Sequence, residues 1–371
     1  MAKRDMTTSV RVIAEAGVNH NGDLGLALEL IAAAAEAGAD DVKFQTFDAT
    51  ALAAGRAPLA DYQRAAGVQA ENQHSMLAAL ELDLETHQRL FDACRSAGIR
   101  FLSSAFDHAS LDLLDSKLGM TTIKFGSGEL TNAPLLLDAA LRKRDVILST
   151  GMAGLAEIEE ALGVLAFGYK ASPDTRFDPG RRIEPEAFAA AWWSSDGRER
   201  LGRHVSIMHC VSNYPAADGE LNLRAMGTLK AAFGLPVGYS DHSVGTRACL
   251  AAVALGAVAI EKHLTMDRTL PGPDHTASLE PSEMAAMIRD IRAIETMMGS
   301  EIKVPMPSEM STARVARKTI VAARPIAAGE VLGPGNLAIK RAGPGPKPVS
   351  YWSLLGRASP RRFEIDEIID L

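Results

Sequence analysis

Cysteine is scarce in this chain: Cys94, Cys210 and Cys249 are the only three among 371 residues. They are odd in number and far apart, and they form neither a CxxC pair nor a Cys/His finger spacing. That excludes a disulfide framework and fits a reducing cytoplasm. Aromatic residues are few, at 5%, and no basic run is interleaved with them; net charge is −7. Nucleic acid is therefore a poor partner, and an anionic substrate must be held by a few local cations. No apolar stretch reaches the length of a membrane span. The opening MAKRDMTTSV has no apolar core of a signal peptide. GxGxxG after the first strand, GxSxG, HExxH and a P-loop are all missing, which leaves dinucleotide-binding, hydrolase and NTPase readings without support.

What is present is a repeat. From the start to about residue 265, short β-rich runs end in polar residues and are usually followed by Ala/Leu/Glu-rich helical stretches. The strand-like runs are VRVIAEAG, DDVKFQTF, RFLSSAFD, TTIKFGSGE, DVILSTGM, HVSIMHCVS, PVGYSDHS and VAIEKHLT. Between them, LGLALELIAAAAEAGA, LETHQRLFDACRSAG, AEIEEALGVLAFG, LRAMGTLKAAFG and ACLAAVALGA have helical apolar spacing, with glycine near several ends. Eight β/α units predict an α/β fold of the TIM (β/α)8 barrel type rather than a doubly wound sheet. Residues 170–203 interrupt the pattern, with one short helix expected around Glu186 to Trp193. From Glu301 a Pro-rich polar linker leads into short apolar runs with Gly and Pro, which predict a small β-rich domain. The expected division is 1–300 and 301–371, the boundary falling between 285 and 312.

Active sites of barrels gather at the C-terminal strand ends, and in this chain those ends carry polar residues. Lys43 and Lys124 sit inside apolar strands; either alone would mean no more than an ion pair in a polar rim. Together with Ser104, Ser127 and Ser149 on adjacent strand ends, they form a receptor for phosphate or carboxylate. His242 and His263 end the seventh and eighth strands, which are neighbours in a barrel. Each alone is better read as a satisfied core histidine; as a pair beside Asp241 and Glu261 they suit a divalent metal with open positions. Asp241 either orients the histidine or binds substrate. His20 could face the site, His209 lies within the sixth strand, and His275 is on a loop beside Asp274. His74, His87, His108 and His204 read as solvated. Glu15, Glu129 and Glu261 point toward the same mouth, as general base, acceptor or ion-pair partner.

The ordered set IAEAGVNHNGD, DDVKFQTF, IKFGSGELTN, ILSTGMA, HCVSNYPA, GYSDHSVG, EKHLTMDRTLPGPDHTASLEP and IKRAGPG resembles the sialic acid (N-acetylneuraminate) synthase family, which includes N,N'-diacetyllegionaminate synthases. The resemblance covers nearly the whole chain, and the tail resembles an antifreeze-like (SAF) domain. It implies a metal-dependent condensation of phosphoenolpyruvate with an N-acylated mannosamine-type sugar, giving a nine-carbon 2-keto acid and phosphate. By the same resemblance, Lys43, Ser104, Lys124, Ser127, Ser149, Ser212 and Ser240 bind phosphoenolpyruvate, and His242 and His263 bind Mn2+ or Mg2+. Glu15, Glu261, His242 and His263 are the implied catalytic group, with Glu15 as a proton acceptor. Gln45, Asn72, Glu129, Tyr214 and Asp274 are the implied sugar contacts. Arg341 would reach from the SAF domain of one subunit into its partner's barrel, in a cytoplasmic, domain-swapped homodimer.

The chain departs from the family pattern in places. Ser212 stands where some relatives have asparagine, SSAF replaces a frequent STPF, and residues 170–203 are extended as in legionaminic acid synthases. N-acetylmannosamine and a 2,4-diacetamido-trideoxy hexose both remain open as substrate. The competing readings are a metal-independent Schiff-base aldolase, a pseudaminate synthase of the same family, and a C-terminal binding module on an inactive barrel.

Overall fold

The β-rich runs become eight parallel strands: β1 (Arg11–Gly17), β2 (Asp41–Thr46), β3 (Arg100–Ala105), β4 (Thr122–Phe125), β5 (Asp145–Ser149), β6 (Val205–His209), β7 (Val237–Asp241) and β8 (Ala259–His263). Each pairs with the next, and β1 also pairs with β8, so the sheet closes into a barrel. The computed structural model describes residues 9–65, 68 and 70–370; the opening segment, residues 1–8, lies outside the described residues. The main core is formed by buried residues of the strands and of the helices packed around them.

Helix boundaries follow local chemistry. Leu24–Ala37 starts where the Asp23 carboxylate accepts from Leu26 N and ends at Gly38, whose φ of 86° few other residues adopt. Leu84–Ala97 is bounded in the same way by Asp83 and Gly98. Two long helices go beyond the amphipathic runs recognised in the sequence. In Ala133–Leu141 every residue from Leu135 on is buried, so no polar face marks the period. Pro281–Met298 opens with proline in its first turn and a Glu280/Glu283 capping pair.

The segment 170–203 holds two helices rather than one, Pro185–Trp193 and Ser195–His204, both packed on Leu155–Lys170. The second was hidden because SDGRERLGRH buries only Gly197 and Leu201. His87 also departs from the sequence reading: it is fully buried, with Nε2 2.8 Å from Thr46 Oγ1 and Nδ1 2.9 Å from the Asp83 carbonyl. Its position on the inner stripe of Leu84–Ala97, with Leu90 and Cys94, puts it inside.

Two charge clusters, each built on a buried aspartate, tie the strands together. At the N-terminal end of the barrel, Asp41 receives Arg11 at 2.6 and 2.5 Å and Arg100 at 3.0 and 3.0 Å, joining β1, β2 and β3. Near the other end, Lys262 Nζ donates to Asp241 Oδ2 at 2.8 Å, both side chains being fully buried. Asp241 also accepts from Tyr239 Oη and from Ser243 N and Oγ. Removing one member strands a buried charge, so Lys262→Met is expected to cost about 3–5 kcal/mol in denaturant unfolding. The double variant Asp241→Asn with Lys262→Met should recover much of that loss, and equal losses in both would contradict this role.

Contacts divide the chain into two compact units, 1–299 and 300–371. The second pairs β9 (Thr319–Ala322) antiparallel with β10 (Leu337–Lys340) over its own core of Ile320, Ile326, Leu332, Phe363 and Ile369. Among the described residues, no helix is long and apolar enough to cross a membrane.

Candidate active site

Side chains alternate along a strand, and the register turns that alternation into a ring. Glu15 on β1 lies level with Lys43 on β2 and with His263 on β8. Gln45 is level with Ser104, Ser104 with Lys124, and Ser240 with Glu261. All of them line one cavity of about 510 Å³, together with Ser127, Glu129, Ser149, Ser212, Tyr214, His242 and Asp274.

The floor is a buried four-charge array. Lys43 Nζ is 2.5 Å from Glu15 Oε2, 3.0 Å from Ser104 Oγ and 3.8 Å from Glu261 Oε2. Lys124 Nζ is 3.3 Å from Glu261 Oε1, which also accepts from Ser240 Oγ at 2.8 Å. The two carboxylates are driven apart. Burial raises Glu15 to about 7, Lys43 opposing and Glu261 adding to the rise. Burial also disfavours the Glu261 charge, but Lys124, Lys43 and the Ser240 hydroxyl outweigh it and hold Glu261 at about 2. The lysines diverge as well. Burial works against the Lys43 ammonium, yet Glu15 and Glu261 keep its pKa above the ordinary value. For Lys124 burial prevails over Glu261, and its pKa falls. Carboxyl groups with such different proton affinities are what paired acid and base chemistry requires.

Two residues along the chain from Ser240 and Glu261, the His242 and His263 rings lie 5.5 Å apart between centroids. His242 Nδ1 lies 2.6 Å from the Val211 carbonyl, and its other nitrogen, Nε2, is 3.4 Å from Ser240 Oγ. Burial lowers His242 to about 4; burial, with His242 and Lys43 adding, lowers His263 well below its ordinary value. Both are therefore neutral at pH 7, the form that ligates a metal. His263 Nδ1 is buried with no hydrogen-bond partner among the described residues; Asp274 Oδ2 is 3.7 Å away. Neutral rings, one oriented by a backbone carbonyl and one with an orphaned nitrogen, fit a divalent cation. Among the described residues no third His, Cys, Asp or Glu joins them as a metal-holding group, so further ligands would come from substrate and water.

Tyr214 packs its ring 4.1 Å from that of His242, tilted by 32°, and meets His263 edge-on. Burial raises Asp274 to about 6 despite Lys43, and raises Glu129, whose Oε2 accepts from Asn132 at 2.7 Å.

Not every residue expected at the mouth is there. Asn72 does not line the cavity: its Oδ1 accepts from Ser75 N and caps helix Gln73–Ala78, while its neighbour Gln73 takes the wall position. Asp241 neither orients His242 nor faces the cavity, because alternation turns it outward onto Lys262. His20 points away, with Nδ1 accepting from Gly22 N. His209 Nε2 contacts the Leu221 carbonyl, and His275 contacts Thr265. Arg341 is an exposed residue of the second unit.

The structure adds two residues that the sequence reading passed over. A side chain on Gly151 would come within 2.4 Å of Ser212 Oγ and 2.8 Å of Ser127 Oγ; as glycine it lets both hydroxyls converge, and its own N–H donates to Ser127 Oγ at 3.0 Å. Cys210 lines the cavity with Sγ 3.1 Å from Ser127 Oγ. A larger hollow of about 1060 Å³ lies between His108, Ala133–Leu141 and residues 173–183. Its best-placed cations are already engaged: Arg142 by Asp112, Asp115 and Asp138, and Arg144 by Asp115.

Against known proteins, the NeuB family profile matches residues 30–303 and the SAF domain profile residues 317–371. The chain belongs to the NeuB family. Among NeuB-type relatives, it is 43% identical to the N,N'-diacetyllegionaminic acid synthase of Campylobacter jejuni, over 96% of this chain and 98% of that one. It is 41% identical to the protein of the same name from Legionella pneumophila, over 93% of this chain and 89% of that one. Among solved structures it resembles an N-acetylneuraminic acid synthetase from Leptospira borgpetersenii crystallised with citrate. That match has a TM-score of 0.64 and 32% identity, and covers 82% of this chain and 90% of the other.

Proposed function

We propose that the barrel mouth condenses phosphoenolpyruvate with the open-chain aldehyde of an N-acylated mannosamine-type sugar, releasing phosphate. The observation that carries this reading is the single cavity in which two buried lysines and a set of hydroxyls face two neutral histidines. Lys43, Lys124, Ser104, Ser149 and Ser240 hold the anionic groups of phosphoenolpyruvate, with Ser127, Ser212 and the Gly151 N–H completing the cradle. His242 and His263 would hold Mn2+ or Mg2+, which when bound polarises the aldehyde carbonyl. C3 of phosphoenolpyruvate forms the new bond to the aldehyde carbon, whose oxygen takes up a proton. Water adds at C2, giving one proton to Glu15, which balances the proton taken up by the aldehyde oxygen; the C2–O bond to phosphate then breaks, and the remaining hydroxyl proton leaves with the phosphate as the ketone forms. Glu261, held ionised, keeps Lys124 and Ser240 in place. Gln45, Glu129, Tyr214 and Asp274 contact the sugar.

Both legionaminic acid synthase relatives favour a diacetamido-trideoxy hexose as the sugar, and a pseudaminate product is the weaker alternative. The test is phosphate release with phosphoenolpyruvate, Mn2+ and a panel of acylated hexosamines; turnover with none of them would end this reading. Three buried, free thiols are consistent with work in the reducing cytoplasm.

The same reading makes the enzyme a homodimer in which Arg341 serves the partner's barrel. Within the second unit, exposed Ile302, Val304, Met306, Met310 and Val315 form an apolar stretch suited to covering by a second copy. Mixing Arg341→Ala subunits with His242→Ala subunits should then restore about one quarter of wild-type activity, because half the pairs are mixed and each holds one intact site. No recovery after subunit exchange would contradict the swap.

A further inference from the structure

The cavity has a side that the condensation itself does not use. In a closed barrel of eight strands β3 stands opposite β7, so the β2–β3 connection and the end of β3 face the wall carrying His242. There the lining is Leu52, Met76, Leu77, Leu80 and Phe106, with Val18 from the end of β1. Met76, Leu80 and Val18 are buried in a small apolar cluster with Phe47 and Leu59, separate from the barrel core. Leu52, Leu77 and Phe106 are half-buried and complete the surface facing the cavity. The polar groups on this side are neutral, Gln63 and Gln73. Among the described residues, the lining holds no cation besides Lys43 and Lys124, both engaged by Glu15 and Glu261 on the floor.

We infer that this flank selects the sugar by its far end, and that Leu52 and Leu77 are specificity-determining residues. The inference rests on the synthase reading above, which places the aldehyde at the histidine wall and so sends the opposite end of the sugar across the cavity. That end meets a surface that rewards methyl groups. A C6 methyl and the methyl of a second acyl group lose water against Leu52, Leu77 and Phe106. The amide of that acyl group has Gln63 and Gln73 within the same wall. A C6 hydroxymethyl group would be buried without an ionic or hydroxyl partner on the leucine face, and a C6 phosphate would find no cation. The flank therefore disfavours phosphorylated and hydroxymethyl sugars as well as accepting the deoxy one.

The test compares kcat/KM for N-acetylmannosamine and for the 2,4-diacetamido-trideoxy hexose, in the full-length protein and in Leu77→Gln, Leu52→Gln and Leu77→Met. The unaltered protein should prefer the deoxy sugar. A methylene in an apolar pocket is worth roughly 10–200-fold in discrimination, so each glutamine variant should cut that preference by about tenfold or more. KM for phosphoenolpyruvate should stay unchanged in both, and Leu77→Met should keep the preference. Turnover by the glutamine variants with an unaltered ratio would overturn the inference alone, as would a preference of the unaltered protein for the hydroxymethyl sugar. No turnover of either sugar by the unaltered protein would overturn the synthase reading and this inference with it.

Discussion

Replacing His242 with alanine should weaken Mn2+ binding by at least about 10²-fold and remove measurable condensation, while the barrel stays folded. Loss of a residue that merely orients a metal ligand already costs 10–100-fold in affinity, and here one of the two proposed ligands is deleted. The side chain sits beyond the last residue of β7, above the barrel core, where its nitrogens meet the Val211 carbonyl and the Ser240 hydroxyl. Its removal therefore leaves the core untouched. Calorimetric titration with Mn2+ and circular dichroism separate loss of the ligand from loss of the fold. A chelator should abolish turnover in the unaltered protein, and added Mn2+ should restore it. Unchanged Mn2+ affinity in the alanine variant would remove His242 from the metal site.

Lys124→Met should lower kcat/KM for phosphoenolpyruvate by about 10²–10³-fold, the range seen when one donor to a developing or bound anion is removed from a dry site. The fold should tolerate the change better than it tolerates Lys262→Met. Glu261 keeps Lys43 at 3.8 Å and the Ser240 hydroxyl at 2.8 Å, whereas among the described residues Asp241 has no second ammonium. The same residue addresses the Schiff-base alternative. Lys124 has the lowered pKa that an amine nucleophile needs, so borohydride with pyruvate is the discriminating treatment. The condensation account expects no adduct on Lys43 or Lys124, and a reduced adduct on either would favour the aldolase.

How much of this was legible in the sequence depends on how local the signal is. All eight strands and the lysines, serines and histidines at their ends could be read, because polar residues closing apolar β-runs are a local pattern and the barrel brings those ends together. Asp241 could have been placed by the same period of two. With Ser240 and His242 facing inward, it had to face outward, where the equally displaced Lys262 waits. His87 was misjudged because a polar residue on an apolar helical stripe resembles a surface position until its partner is known; that partner, Thr46, lies 41 residues away. Gly151 was out of reach for a similar reason. Its role is the room it leaves for Ser127 and Ser212, on two other strand ends, and no local pattern records a space. The wall formed by Leu52, Met76 and Leu77 comes from short helices inside one long connection, whose apolar residues read as core until the cavity beside them is seen.

The most direct test of the central claim uses phosphoenolpyruvate labelled with 18O in the oxygen bridging carbon and phosphorus, incubated with the diacetamido-trideoxy hexose and Mn2+. Mass spectrometry of the mixture should show a nine-carbon 2-keto acid and an equal amount of phosphate carrying the label, because the C2–O bond is the one that breaks. Unlabelled phosphate, or phosphate released without a new keto acid, would contradict the account.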